Sequence, residues 1–405
     1  MRVCQFRHFG VVYGYYTRLQ MHLGIIGLPL SGKTTIFNAL TRGDQPTGKV
    51  GSGGRFQVHS AVVSVPDPRM DRLSAIYKPE KTIYAQVTYS DISGLEGEEP
   101  QAGQAPDGTA VELPSQRAGN TPFSGPLLNQ LTQLDGFLHV VRVFEDDRAP
   151  HPSGSVEPER DLAIVDGEFL LNDLIAVERK LERLGEDARK GIQKDKQLAA
   201  REKELFERLH ACLSAETPLR DTDLTPAEEK MLSGYGFLTI KPALVVFNTG
   251  EGQNAPEIAL KYTQDHRRTA SVALQGKLEM EIAQLPPEEA EPFLAEYGIE
   301  EPGLNRMIRL SYDLLGLQSF FTVGDDEVRA WTVRRGATAP EAAGEVHSDL
   351  QKGFIRAETF SYDDLMEAGS AAEVKARGKF RLEGKEYVVQ DGDILTIRFN
   401  PRASS

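Results

Sequence analysis

Gly27-Leu28-Pro29-Leu30-Ser31-Gly32-Lys33-Thr34 fits the spacing G-x-x-x-x-G-K-[ST], and the chemistry of that spacing is capture of a polyphosphate. A nucleoside triphosphate is strongly charged and heavily hydrated, so a protein must replace that hydration with fixed donors. Glycines let the backbone curl until successive N–H groups point inward, and a following helix adds the partial positive charge of its N-terminus. On this reading Leu30, Ser31, Gly32, Lys33, Thr34 and Thr35 line the phosphates. Lys33 reaches the β- and γ-phosphates, and the Thr34 hydroxyl ligates Mg²⁺.

Such a site needs an acid at the end of a neighbouring strand to hold the Mg²⁺ shell. Asp91 follows the strand-like run Tyr84 to Ser90, and Gly94, three residues on, is placed to donate its N–H to the γ-phosphate. Base recognition belongs at the end of a later strand, where Phe247-Asn248-Thr249-Gly250-Glu251 stands. Guanine-specific P-loop proteins carry N-K-x-D there, the carboxylate accepting from the guanine ring N–H and amine. Here Glu251 replaces the Asp, and Thr249 replaces the Lys whose stem would cover the base. A longer carboxylate misaligns that bidentate pair and weakens guanine discrimination, since unmade polar pairs carry most selectivity at such sites. Asn248, Thr249 and Glu251 are therefore expected to line an adenine, with GTP the alternative.

The elements that would position these groups are legible as hydrophobic runs. His22 to Ile26 reads as a buried strand and Thr35 to Leu40 as the start of a helix. Ala61 to Val65, Tyr84 to Ser90, Phe137 to Phe144, Ala243 to Phe247 and the weaker Thr269 to Leu274 are further strands. Strands interleaved with helices predict an α/β fold, a mostly parallel sheet covered on both faces. His139 and Arg142, on the strand before the intervening segment, read as buried structural residues rather than reactants.

Between the halves, from about Glu159 to Leu213, charged residues dominate. Leu170, Leu174, Val177, Leu181 and Leu184 form a heptad seam, and Leu198, Leu205, Leu209 and Leu213 form a second stripe. Gly185 and Gly191 bracket an expected turn, which predicts an inserted antiparallel helical hairpin. Arg189, Lys190, Lys194, Lys196, Arg201 and Lys203 at its tip and flank suit a solvated coiled-coil face, or contact with RNA phosphates. After about Gln318, strand candidates at 320–323, 328–333, 354–360, 387–389 and 394–399 surround helical stretches at 340–351 and 362–366. That composition describes a small α+β binding module with no catalytic cluster. The expected boundaries are 21–146 with 239–317 for the P-loop domain, 147–238 for the insertion and 318–401 for the C-terminal module.

The chain has 405 residues, a hydrophobic fraction of 40% and a formal net charge of -14. The charge argues against indiscriminate nucleic-acid binding and DNA is not an expected partner, though a local basic patch can still touch RNA. No apolar run approaches the roughly 18 residues of a membrane span, so no membrane partner is expected. Cys4 and Cys212 are too few for a disulfide framework or a Cys-based zinc site, so a reducing cytoplasm is the expected compartment. Residues 1–20 hold Arg2, Arg7 and Arg18 without an acid and look foreign to the fold. They read as a disordered extension or an upstream start, since Met21 stands directly before the first strand; a transit peptide is the alternative.

The chain resembles the Obg-like ATPase family (YchF type), a branch of the translation-factor class of P-loop proteins. The resemblance runs from Met21 to about Pro401. It is carried by Val65-Pro66-Asp67-Pro68-Arg69, His139-Val140-Val141-Arg142, Lys241-Pro242, Glu301-Pro302-Gly303-Leu304-Asn305 and Val328-Arg329-Ala330-Trp331-Thr332. The stretches Gly336 to Gly344 and Lys352 to Ala357 are especially specific. The resemblance implies a G domain, an inserted coiled coil and a C-terminal β-grasp module of the TGS type. It also implies ATP preferred over GTP, and association with ribosomes.

Several positions depart from the common pattern of such sites. The family carries a hydrophobic residue where related enzymes have the glutamine that orients water, and Leu95 matches this. A leucine neither accepts a proton nor aligns water, so slow intrinsic hydrolysis that rises with a bound partner is expected. Leu30 stands where the family loop has an Asn that in related proteins helps bind potassium, which removes an oxygen from that position. The threonine of the first switch aligns near Arg55, with Thr47, Ser52 and Ser60 as substitutes, and 96–125 has the composition of a segment ordered only by a ligand or partner. The readings that result are a nucleotide-switched ATPase, a nucleotide-dependent ribosome-binding protein with little hydrolysis, and a GTPase of the same class.

Overall fold

The computed structural model describes residues 21–43, 58–92, 125–191, 195–254, 256–296 and 299–400. Gly94, Leu95, Thr47, Ser52 and Arg55 lie outside the described residues, as do the extension 1–20 and nearly all of 96–125.

The first half of the chain runs β1 (His22–Ile26), α1 (Lys33–Thr41), β2 (His59–Ser64), α2 (Pro68–Tyr77), β3 (Lys81–Ile83), β4 (Gln86–Asp91), α3 (Gly125–Thr132) and β5 (Gly136–Arg142). The insertion supplies α4 (Pro158–Lys190), α5 (Lys196–Ser214) and α6 (Pro226–Leu232). Then come β6 (Ala243–Asn248), α7 (Glu257–Asp265), β7 (Thr269–Leu274), α8 (Gly276–Gln284), α9 (Pro287–Glu296) and α10 (Gly303–Leu314). The last part contributes β8 (Leu317–Thr322), β9 (Glu327–Arg334), α11 (Ala339–Val346), α12 (Ser348–Lys352), β10 (Phe354–Ser361), α13 (Tyr362–Ala368), α14 (Ala371–Ala376), β11 (Arg381–Glu383) and β12 (Asp393–Phe399).

One sheet has the order β2-β4-β1-β5-β6-β7, with β1–β5, β5–β6 and β6–β7 paired in parallel. Every residue of β5 and β6 is buried, as expected of central parallel strands covered by helices on both faces. Edge strand β2 instead alternates half-buried and exposed residues. The α/β architecture expected from the sequence is what forms.

The hairpin differs in its turn. Helix α4 runs straight through Gly185 and ends at Gly191, whose φ of 65° is the left-handed cap a glycine adopts freely. Gly185 sits among strong helix formers, and one glycine costs a helix only about 1 kcal/mol. Pro158 opens α4 with a φ already suited to the first helical position, and the acids Glu159 and Asp161 near its start and Arg189 and Lys190 at its end complement the helix dipole. Val177, Leu205, Phe206, Leu209 and Leu213 form its core, while Leu198 is exposed. The return to the sheet is fixed by Asp173, fully buried, which accepts from the N–H groups of Leu238 and Thr239 and from the Thr239 hydroxyl. Next in the chain, Lys241 Nζ donates to the carbonyls of Leu131 and Thr132 and so closes the C-terminus of α3.

The second sheet has the order β11-β10-β12-β8-β9-β3. Its middle pair β12–β8 is parallel, β8–β9 and β10–β12 are antiparallel, and β3 adds in parallel to β9. Residues 387–389 form no strand; Val388 makes only an isolated bridge to Thr338. The single helix expected over 340–351 breaks at His347, whose backbone is extended and whose Nδ1 accepts the Asp349 N–H to start α12. Contacts divide the described residues into two compact units, one made of those in 62–88 and 305–400 with 21–22, the other of those in 23–61 and 89–304. Residues 62–88, grouped by sequence with the phosphate-binding half, thus share a unit with the C-terminal strands, and the β3–β9 pairing is the reason.

Candidate nucleotide-binding site

Between β1 and α1 the chain makes a tight loop that only particular residues permit. Gly27 has φ 147° and Gly32 φ 98°; a Cβ at Gly27 would stand 2.3 Å from the Val140 carbonyl, and one at Gly32 2.2 Å from Asn248 Nδ2. Leu30 also has a positive φ of 62°, a conformation that costs an L-residue roughly 1–2 kcal/mol. Lys33 is buried and arches back over the loop, its Nζ donating to the carbonyls of Gly27 at 3.1 Å and Leu28 at 2.8 Å. The Ser31 hydroxyl is buried and makes no hydrogen bond among the described residues.

Thr34 Oγ1 donates to Asp91 Oδ2 at 3.0 Å. The residues singled out as Mg²⁺ ligands, 57 positions apart in the chain, are therefore adjacent. Two hard oxygens side by side fit Mg²⁺, which takes one or two protein ligands and completes its octahedron with water and substrate phosphates. One residue before Asp91, Ser90 Oγ lies 2.7 Å from Ser60 Oγ, so Ser60 is engaged within the β2–β4 region of the sheet.

Asn248 also comes to the loop, but through its scaffold. Its Nδ2 donates to the Ser31 carbonyl at 3.0 Å and its Oδ1 accepts the Gly276 N–H at 2.9 Å, joining the loop to the start of α8. Thr249 is buried, its N–H donating to the Leu274 carbonyl. Glu251 is exposed on the turn after β6, where the Gly250 N–H is held by Gln253 Oε1 at 2.7 Å.

Sequence reasoning missed Phe144 and underread Arg142. The Arg142 side chain is buried, donating through Nε to the Phe144 carbonyl and through Nη1 to the Leu30 carbonyl, with its guanidinium 4.4 Å from the Phe144 ring centre. Phe144 stands beside both glycine turns: Cε1 is 3.9 Å from a Cβ built at Gly32, and its own Cβ 3.5 Å from one built at Gly250. An aromatic thus lies between the phosphate loop and the base loop. Its signal was its place at the end of the strand facing Gly32, a relation no local pattern reveals. On the same strand His139 is buried; burial pushes its imidazole down to about 4, the Asp166 carboxylate opposes this and the Lys33 charge adds to it.

Residues 317–400 match the family profile YchF-GTPase_C, described as a protein of unknown function (DUF933). The chain is 38% identical over 383 residues to the ribosome-binding ATPase YchF of Bacillus subtilis, covering 93% of this chain and 98% of that protein. It is 36% identical over 392 residues to Obg-like ATPase 1 of rice (Oryza sativa subsp. japonica), covering 95% and 93%. The solved YchF GTPase of Schizosaccharomyces pombe superposes with a TM-score of 0.78 at 29% identity, covering 96% of this chain and all of that one. With likeness of this degree along nearly the whole chain, and a phosphate loop built as described, the chain belongs to the YchF (Obg-like ATPase) family.

Proposed function

We propose that this protein is a nucleotide-switched ATPase that hydrolyses ATP to ADP and phosphate in association with the ribosome, in the cytoplasm. The observation that carries the reading is the loop of Gly27 to Thr34, with Lys33 arched onto its own carbonyls and Thr34 3.0 Å from Asp91. Lys33, Ser31, Gly32 and the N-terminus of α1 would bind the phosphates, with Thr34 and Asp91 holding Mg²⁺. When bound, that ion would neutralise charge developing between the β- and γ-phosphates. Asp91 and Gly94 would report the γ-phosphate, Leu95 would stand where related enzymes carry the water-orienting glutamine, Thr249 and Glu251 would border the base, and Asn248 would hold the loop beside it. The names of the relatives, ribosome-binding ATPase and Obg-like ATPase, support both the nucleotide and the partner. Among the described residues no helix is long and apolar enough to cross a membrane. Residues 21–146 with 239–317 would supply the nucleotide domain, except that 62–88 and 305–317 group with the C-terminal strands; 147–238 would be the inserted reader and 318–401 the β-grasp module.

Leu95 favours a second reading, in which ATP occupancy matters and turnover is minor. Phosphate release by purified protein, with and without ribosomes, separates the two: stimulated release supports the ATPase, and ATP-dependent association without release supports the binder. Calorimetric titration with ATP and GTP tests the base preference. Lys33→Ala, which removes the phosphate cation, is expected to abolish nucleotide binding; retained binding would overturn the site itself.

A further inference from the structure

Residues 67–84 make a set of contacts that nucleotide binding does not require. Asp67 caps α2 by accepting the Arg69 N–H, and the Arg69 guanidinium folds back onto the same carboxylate. The other edge of that guanidinium reaches Asp391 in the turn before β12, with Nη1 2.7 Å from Oδ2 and Nη2 3.3 Å from Oδ1. Arg69 also lies 5.0 Å from the ring centre of Phe321 on β8, while Asp391 Oδ1 accepts the Ser319 N–H of the same strand. A Cβ at Gly392, where φ is 87°, would come within 3.1 Å of Arg69 Nη1, so the turn is shaped around the guanidinium. Further along, the N–H groups of Glu80 and Lys81 donate to the carbonyls of Asp325 and Asp326, and β3 continues as a strand of the C-terminal sheet.

The chain entering and leaving this segment is the chain that frames the phosphate site. β2 leads in, with Ser60 on Ser90, and β4 leads out to Asp91, which meets Thr34. A planar fork between two carboxylates over an aromatic face is a rigid joint that a lysine does not reproduce. We propose that Arg69 is a positioning residue that fastens residues 67–84 to the C-terminal module, so that a change at Thr34–Asp91 on ATP binding passes along β2 and β4 into that module. The C-terminal sheet is then an output of the phosphate site rather than a tethered accessory. The inference rests on the site's being an ATP site, as proposed above.

The test is amide hydrogen exchange of the full chain with and without Mg²⁺ and a non-hydrolysable ATP analogue, in wild type, Asp391→Asn and Asp391→Glu. Asp391→Asn removes the charge while keeping an acceptor for Ser319. In wild type the analogue should slow exchange at least threefold in residues 27–34 and in residues 317–322 and 391–399. In Asp391→Asn the first effect should persist at unchanged analogue affinity while the second disappears, and Asp391→Glu should restore at least half of it. A purely structural clamp would raise exchange in the C-terminal module equally with and without analogue, leaving the response intact, and that result overturns the inference. So does a wild-type response confined to residues 27–34. No response at residues 27–34 in wild type would overturn the ATP reading, and the inference with it.

Discussion

Asn248 offers a sharp test of how the phosphate loop is held, because its amide faces two groups of opposite demand. The Ser31 carbonyl needs a donor and the Gly276 N–H needs an acceptor, at 3.0 and 2.9 Å, and both contacts are buried. Asn248→Ala strands both partners. A buried polar group left unpaired costs about 1–3 kcal/mol, so the pair is worth about 2 kcal/mol even after water relieves part of the loss. If the loop escapes that cost by opening, the competent fraction falls and affinity for ATP drops about thirtyfold. Asn248→Asp keeps the acceptor for Gly276 and sets an anionic oxygen against the Ser31 carbonyl, so it should be at least as harmful. The assay is calorimetry with Mg²⁺-ATP, Mg²⁺-GTP and inorganic tripolyphosphate. A loop-holding Asn248 predicts the same fractional loss for all three, since they share only phosphates. Loss confined to ATP, with tripolyphosphate binding intact, would refute the argument and return Asn248 to direct base contact.

Other consequences follow from the same geometry. Thr34→Ala and Asp91→Asn each remove a hard oxygen from the 3.0 Å pair, so the gain in ATP affinity on adding Mg²⁺ should fall at least tenfold in titrations against EDTA controls. Phe144→Ala should weaken ATP and GTP by about tenfold, the scale of one base–aromatic contact, and leave tripolyphosphate binding unchanged. His139 is held neutral, with its folded value lowered from 6.5 to about 4. The unfolded chain then binds the extra proton first, so stability falls as pH drops from about 6.5 to about 4, by up to roughly 3 kcal/mol. Urea unfolding of wild type and His139→Asn across that window should show the wild-type slope flattened in the variant.

What could be read from the sequence followed the range of the interactions involved. The Gly27–Thr34 loop was legible because strand, turn and helix lie within about twenty residues and each has its own local signal. β5 and β6 were legible because full burial leaves an unbroken apolar run. Lys81-Thr82-Ile83 carries no such signal; it is a strand only because β9 supplies its partner, more than two hundred residues away. Arg69 read as part of a family signature, but its role depends on Asp391, 322 positions distant. Gly185 shows the converse error, a local breaker overruled by the packed helix around it. Of the candidate site, Thr34 and Asp91 were named together by chemistry alone and lie 3.0 Å apart, whereas Phe144 could be found only from the closeness of two glycine turns.

The loop's partners share one logic. Lys33 takes the carbonyls of Gly27 and Leu28, Arg142 that of Leu30, and Asn248 that of Ser31. Each peptide is a dipole, so pinning the Leu30 and Ser31 oxygens to Arg142 and Asn248, donors outside the loop, turns the N–H groups of those peptides toward the inside, and a run of such N–H groups is an anion nest. The inward face is thereby arranged before any phosphate arrives, and little binding energy goes into ordering it. Leu30 fits this scheme despite its unfavourable φ of 62°. What the position supplies is its carbonyl to Arg142, which any residue can provide, so an oxygen-bearing side chain there would matter only for binding an additional cation. Leu30→Asn should therefore leave ATP affinity in sodium buffer within about twofold, as one surface-accessible polar substitution does. Any potassium-dependent gain it confers would measure the ion site that the leucine removes. A large loss in sodium would mean that the leucine side chain itself holds the loop, against the carbonyl argument.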